Sequence, residues 1–241
     1  MKKFIFMLCL FFTAFPGFAE EYNSISLFSY SGYLTTPSAY ITDGRLGFYY
    51  SYLPKYVAPF DKNRSENWIF STALGFLPFM ECYLSVYVAP QVNISKSIYN
   101  YGADKTRSAG VKIRIMDEGK RLPSFAIGIY DPEVMKVVAD FTHNTVSSLF
   151  IVSSKRFNDD NISVSIGYGF DELSGKYGRL RGLFGGLAVS VLKNMWLISD
   201  YDTEVWSAGV NTRWRGIDLL VATIHGYGPA YRIGYNFTLL D

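Results

Sequence analysis

The sequence is poor in cysteine, histidine and charge, and beyond its N-terminal segment it has no apolar run long enough for a transmembrane helix. Its two cysteines are Cys9 and Cys82. Cys9 falls in a segment expected to be removed, and Cys82 alone can form neither an intramolecular disulfide nor a cysteine-built metal site. The two histidines, His143 and His225, belong to no recognisable nucleophile constellation. His143, near Asp140, reads as a solvated loop residue, and His225, beside Gly226 and Gly228, as a turn residue. Neither a catalytic centre, a metal site nor a cofactor site is expected. Charged residues make up only 18% of the chain, and removal of Lys2 and Lys3 from the 23 basic residues balances them against the 21 acidic ones. A neutral chain gives no electrostatic case for nucleic acid. No linker-like or charge-block segment divides it, so one domain is expected.

What is present begins with an export signal. Lys2 and Lys3 precede an apolar run from Phe4 to Phe15, the breaker pair Pro16-Gly17 and the small residue Ala19. This order predicts a secretory signal peptide over 1–19, cleaved after Ala19, because the run is too short for a helix that needs about 20 apolar residues to span a bilayer. Leu8 stands where a lipobox preceding Cys9 would need a small residue, which argues against a lipoprotein.

Tyr and Phe occur 19 times each and Gly 21 times, with the hydrophobicity dispersed. That composition suits strands having one apolar face and one polar or small face. Period-two alternation recurs accordingly. Phe48, Tyr50 and Tyr52 alternate with Gly47, Tyr49 and Ser51; Ile113 and Ile115 with Lys112 and Arg114; Val164, Ile166 and Tyr168 with Ser163, Ser165 and Gly167. Ala208, Val210 and Thr212 interleave with Ser207, Gly209, Asn211 and Arg213, and Tyr231, Ile233, Tyr235 and Phe237 with Arg232, Gly234 and Asn236. The pattern predicts strands near 45–52, 67–76, 79–89, 107–116, 123–130, 147–156, 162–170, 183–192, 195–202, 205–214, 217–225 and 231–239.

Short breaks rich in turn formers, such as Leu77-Pro78, Lys193-Asn194 and Arg215-Gly216, alternate with longer ones at 53–66, 90–106, 131–146 and 171–182. The remaining breaks, near 203–204 and 226–230, are shorter. Twelve strands with this rhythm predict an all-β, closed antiparallel transmembrane β-barrel of up-and-down topology over 44–241, in the outer membrane of a Gram-negative bacterium, with both termini in the periplasm. Closure gives every backbone amide in lipid a partner. Tyr52, Tyr83, Trp196, Trp206, Trp214 and Tyr231, near segment ends, are expected to form interfacial girdles. Outer-membrane lipid and the barrel-assembly machinery are the expected partners.

Segment 20–43 precedes the first clear strand and carries Thr35, Thr36, Pro37 and Ser38. It either plugs the lumen or lies along the barrel mouth, or else forms an extra edge strand or a periplasmic leader. If the apolar faces point to lipid, Glu81, Lys112, Arg114, Lys155, Asp200, Asp202, Arg213 and Arg232 point inward, with Tyr49 and Tyr87 as faces on which a sugar could stack. Pairing of opposite charges across a narrow lumen is the preferred reading of these residues, ahead of direct contact with a hydrated solute. The i,i+2 carboxylates Asp200 and Asp202 have a spacing compatible with a glycosidase, but no cleft signature accompanies them.

The stretch Gly32-Tyr33-Leu34-Thr35-Thr36-Pro37-Ser38-Ala39, followed by Asp43-Gly44, resembles the N-terminal G-x-x-x-T-P-[ST]-A motif of the YjbH family. Family-like stretches follow in order at 77–81, 104–108, 122–131, 149–155, 197–202 and 211–213. The chain is shorter than its family counterparts, with room for one barrel, and has Asp131-Pro132-Glu133 in place of a glycine-threonine-glycine step. The resemblance implies a non-enzymatic outer-membrane barrel associated with exopolysaccharide or capsule export or surface assembly, with polysaccharide and periplasmic export proteins as partners. A general small-solute channel or structural barrel is the second reading, and an outer-membrane hydrolase the third.

Overall fold

The computed structural model describes residues 22–55, 57, 66–89, 104–131, 147–170 and 180–239. The expected signal peptide, residues 20–21 of the leader, and His143 with Asp140 therefore lie outside the described residues. No helix is present among those described, and none is long and apolar enough to cross a membrane.

Among the described residues two short strands come first, β1 (Ser24–Ile25) and β2 (Ser31–Gly32). Twelve longer ones follow: β3 (Arg45–Leu53), β4 (Asn67–Leu77), β5 (Met80–Ala89), β6 (Asp104–Met116), β7 (Ser124–Tyr130), β8 (Ser148–Phe157), β9 (Ile162–Gly169), β10 (Gly182–Leu192), β11 (Met195–Tyr201), β12 (Trp206–Trp214), β13 (Ile217–Ile224) and β14 (Gly228–Thr238). Each of the twelve pairs antiparallel with its sequence neighbours, and β14 pairs with β3 to close the barrel. Arg232 lies opposite Ser51 and Asn236 opposite Gly47 across the closing seam. Each predicted long strand is present. The largest change is at β14, which begins at Gly228 and reduces the expected break at 226–230 to a turn.

Two of the tight connections use residues that tolerate a left-handed backbone. Asn158, Asp159 and Asp160 have φ of 53°, 51° and 65°, a conformation Asn and Asp accept more readily than other side chains. Arg215 and Gly216, at φ 48° and 85°, supply the two positive-φ positions of a two-residue hairpin turn. The short-turn end of the barrel comprises the connections after β4, β6, β8, β10 and β12. The opposite end, called here the loop end, carries the others.

Alternation decides what faces outward. Ile166, Val221 and Leu183 are all more than 60% exposed, although Ser165, Leu220 and Phe184 beside them in sequence point into the barrel. An exterior so apolar is a liability in water but suits contact with hydrocarbon. Two expected girdle residues are corrected here. Tyr83 and Trp196 are 1% and 2% exposed and point into the lumen, whereas Trp206, Trp214 and Tyr231 do face outward. Tyr83 shares strand parity with Glu81, Ser85 and Tyr87, all of them buried. Trp196 sits opposite Ser190 and Asn211 and shares its face with Ile198 and Asp200.

Candidate functional site

The leader occupies the lumen. From Tyr22 to Thr42 every residue except Asn23 is buried, so this irregular stretch fills the barrel interior and lies neither at the mouth nor along an edge. Its only regular structure is the pairing of β1 with β2, Ser24 opposite Gly32 and Ile25 opposite Ser31. The remaining order comes from tight backbone bonds: Ser26 N to Tyr30 O at 2.7 Å, Leu27 N to Leu34 O at 2.8 Å, and Tyr33 N to Thr36 O at 2.8 Å. Gly32 is required by space, since a Cβ there would lie 2.7 Å from Pro37 Cα and 2.9 Å from its carbonyl carbon. The Thr35-Thr36-Pro37-Ser38 motif is thus the second corner of a compact plug.

Three groups of wall residues hold the plug. Toward the short-turn end, Glu81 on β5 accepts hydrogen bonds from Ser31 N and Oγ at 3.2 and 2.6 Å, and from Thr42 N and Oγ1 at 2.9 and 3.2 Å. Lys112, its register partner on β6, lies 3.0 Å from the Glu81 carboxylate and donates to Ser38 O at 2.8 Å and to Ser31 O at 3.2 Å. Both side chains are wholly buried, which only a paired and fully bonded charge can tolerate.

Asp218 on β13 forms the second group. Its carboxylate pairs with Arg232, lies 3.6 Å from Arg213 Nη2 and accepts from Asn211 Nδ2 at 2.6 Å. Arg232 also donates to Ser24 Oγ at 3.0 Å, and Arg213 donates to Asn23 O at 2.6 Å, so the cluster grips the start of the plug. Tyr49 presents its ring to the Arg232 guanidinium, 5.2 Å from the centroid.

Asp200 on β11 is the third. Its Oδ2 accepts from Thr35 N at 2.6 Å, Thr36 N at 2.9 Å and Thr36 Oγ1 at 3.1 Å. The motif corner is therefore folded around a single wall carboxylate 165 residues away in sequence.

Aromatic rings complete the seal. Tyr22 stacks on Tyr33 at 5.5 Å and meets Trp196 edge-on at 5.8 Å. Tyr30 meets Tyr130 edge-on at 5.4 Å, and the Tyr87 and Tyr130 hydroxyls lie 3.1 Å apart. At the short-turn rim, Tyr40 OH donates to Glu118 at 2.9 Å while the Arg156 guanidinium covers the Tyr40 ring at 3.8 Å. Burial pushes the Glu118 carboxyl up, but the Arg156 amide, the Lys155 ammonium and the Tyr40 hydroxyl outweigh it and hold the carboxyl below its ordinary value.

Among the residues singled out from sequence, Tyr49, Glu81, Tyr87, Lys112, Asp200, Arg213 and Arg232 are all buried inside the barrel, and Asp202 is buried just beyond the end of β11. Arg114 and Lys155 lie at the rim instead. Arg114 pairs with Asp117 at 2.6 Å, and Lys155 pairs with Glu118 at 3.0 Å, both in the β6–β7 connection. Asp202 is engaged locally, accepting from Glu204 N and Val205 N at 3.3 and 3.0 Å. Asp200 and Asp202 thus serve separate structures, the plug and a loop. His225 follows β13, where its amide donates to Trp206 O at 2.9 Å. No cluster of three or more metal-ligating side chains occurs among the described residues.

Sequence reasoning missed Asp218, the hub of the second group. Its strand has an inner face continuing through Leu220, Ala222 and Ile224, as apolar as the outer face, so β13 shows no alternation. Counting parity back from the Arg215-Gly216 turn is the signal that would have found it.

The family model described as "Exopolysaccharide biosynthesis protein YbjH" matches residues 24–218, which include the plug and most of the barrel. No curated protein matches the chain. Solved structures similar to it include a KdgM porin, at 11% identity and a TM-score of 0.44, covering 80% of this chain and 98% of that one. A KdgM porin in complex with disordered oligogalacturonate is similar at 10% identity and a TM-score of 0.45, with the same coverage.

Proposed function

The chain belongs to the YjbH family of exopolysaccharide biosynthesis proteins, and on that premise we propose that it is a non-enzymatic outer-membrane barrel acting in the export or surface assembly of an exopolysaccharide. The observation that carries this reading is the contrast between the two faces of the wall. Outside it is apolar and suited to lipid; inside it is lined with hydroxyls, tyrosines and internally paired charges, the surface a hydrated polymer requires. The short-turn end faces the periplasm, where export proteins would meet the entry to the plug, and a cleaved signal peptide delivers the chain to the assembly machinery.

The filled lumen adds that the resting state is closed. A gene deletion in a polymer-producing strain is expected to reduce surface and secreted polymer, measured by total carbohydrate in the cell-free and capsular fractions. Wild-type polymer levels in the deletion strain would overturn the reading. The second reading, a permanently sealed structural barrel, is favoured by the depth of the plug's burial, and it predicts no current under any condition in planar bilayers.

A further inference from the structure

We propose that the wall beneath the plug, on β9 to β12, is a binding site for a neutral, hydroxyl-rich glycan, and that the plug's own side chains occupy it in the closed state. The inference rests on the export reading and narrows it to a substrate class and a set of residues.

Three plug elements sit on one continuous patch. The Thr35-Thr36 corner gives Asp200 two amide hydrogens and one hydroxyl hydrogen, a donor set that neighbouring hydroxyls of a sugar reproduce. The Tyr33 phenol lies 2.9 Å from both Ser163 Oγ and Ser165 Oγ, as a sugar hydroxyl would. Its ring rests on Gly186, the register partner of Asp200, where a Cβ would collide with it. Tyr22, stacked on Tyr33, covers Trp196. A ring against an indole, hydroxyls against serines and donors against a carboxylate are the elements by which proteins hold carbohydrate.

The wall retains unused capacity in the same place. Asp200 Oδ1 and its cross-strand neighbour Ser207 Oγ are buried, in residues 0% and 2% exposed, and have no hydrogen-bond partner among the described residues. Buried polar atoms left in that state are costly, and a ligand richer in hydroxyls than the plug would satisfy them.

The wall also tolerates departure of the plug unevenly. Glu81 keeps Lys112, and Asp218 keeps Arg232, Arg213 and Asn211, because those partners belong to the barrel. Among the described residues, every hydrogen bond made by the Asp200 carboxylate comes from the plug. Asp200 is therefore the wall charge that a ligand must serve.

Charge selects the ligand. At the patch itself the buried wall charge is the Asp200 carboxylate, while Lys112 is committed to Glu81 and Arg213 and Arg232 to Asp218. A buried carboxylate at the binding patch repels a polyanion and accepts a neutral chain.

The test uses the full-length protein in planar bilayers, with heat-modifiable gel mobility confirming the folded barrel. Thr36→Glu sets a second carboxylate against Asp200 and is expected to open a steady current by displacing the corner. Maltohexaose then interrupts that current in a concentration-dependent way, and hexameric oligogalacturonate does not. In the same background Trp196→Ala raises the half-blocking concentration about tenfold or more, whereas Asp200→Asn is placed in Tyr33→Ala, where vacating the patch does not depend on the Asp200 charge, and weakens maltohexaose binding about tenfold or more. Should Thr36→Glu fail to fold, Tyr33→Ala vacates the patch without adding charge, and binding is read as a maltohexaose-dependent change in Trp196 fluorescence that is absent from Trp196→Phe.

A folded Thr36→Glu barrel that stays sealed, block by the polyanion equal to or stronger than by maltohexaose, block indifferent to Trp196, or maltohexaose binding to Tyr33→Ala indifferent to Asp200 would each overturn the site. None of these results touches the export reading, which fails only if the deletion strain makes normal polymer.

Discussion

The plug and the wall are built on opposite plans. The wall is regular, half exposed and self-sufficient: every long strand has two hydrogen-bonded neighbours, and its main charges find partners within it. The plug has two strands of two residues each, yet it is almost wholly buried and draws most of its order from the wall. A segment of this composition would not hold such a shape in water, because its few internal bonds do not offset the entropy of ordering it. Stability is therefore expected to divide into two levels, a barrel that survives alone and a plug whose order depends on a few wall contacts.

Breaking the wall should have the largest effects. Asp218→Ala leaves Arg232 and Arg213 buried beside a lost carboxylate, and is expected to cost about 3–5 kcal/mol in urea unfolding of the lipid-reconstituted protein. Ile166→Arg places a charge on the outward face in the middle of β9, with an expected cost of roughly 2–4 kcal/mol at mid-membrane depth, whereas Ile166→Leu should be nearly silent. If both Ile166 variants were equally stable, the outward face would not be meeting lipid.

Breaking the plug should leave the wall intact. Gly32→Ala forces a Cβ into the Pro37 backbone and is expected to destabilise the plug by about 1–3 kcal/mol. The plug then becomes sensitive to protease while heat-modifiable mobility is unchanged, and coincident loss of both would show that plug and wall are one cooperative unit. Thr36→Val removes one hydroxyl bond to Asp200 while both amide bonds remain, and should cost about 1 kcal/mol by the same protease measurement.

The smallest effect is at the rim. The Glu118 carboxyl is held below its ordinary value in the folded protein, so its contribution is fully present above the unfolded carboxylate pKa of about 4.3 and disappears as pH falls through the lower folded value. Protease sensitivity of the plug near Tyr40 should therefore rise on acidification below about pH 4, in the range set by that carboxylate reference. In Glu118→Gln this rise should be flattened; an equally steep response would assign the pH dependence to another group.

How far the sequence could be read follows from the same division. Strands such as β9 and β14, with Ile and Tyr on one face and Ser, Gly or Arg on the other, announce both their extent and their orientation. Strand β11 does not: inward Trp196 and Ile198 are as apolar as outward Leu197, so the position of Trp196 near a segment end says nothing of the face it takes. Asp218 was hidden for the same reason. The plug showed only its Thr-Thr-Pro-Ser corner, since a segment packed against a wall of mixed chemistry has no single face and hence no period.

The sequence by itself determined the number of long strands, their boundaries to within a few residues and which side of most of them faces outward. Those properties are local, fixed by the two-residue repeat of a strand and by turn residues that accept a left-handed backbone. Only the tertiary structure decided that the leader fills the lumen, that Asp200 serves Thr35 and Thr36, and that Asp218 joins Arg213 and Arg232. Such partnerships depend on closing β14 against β3, which brings distant parts of the chain around one interior where every buried charge must find its counterpart.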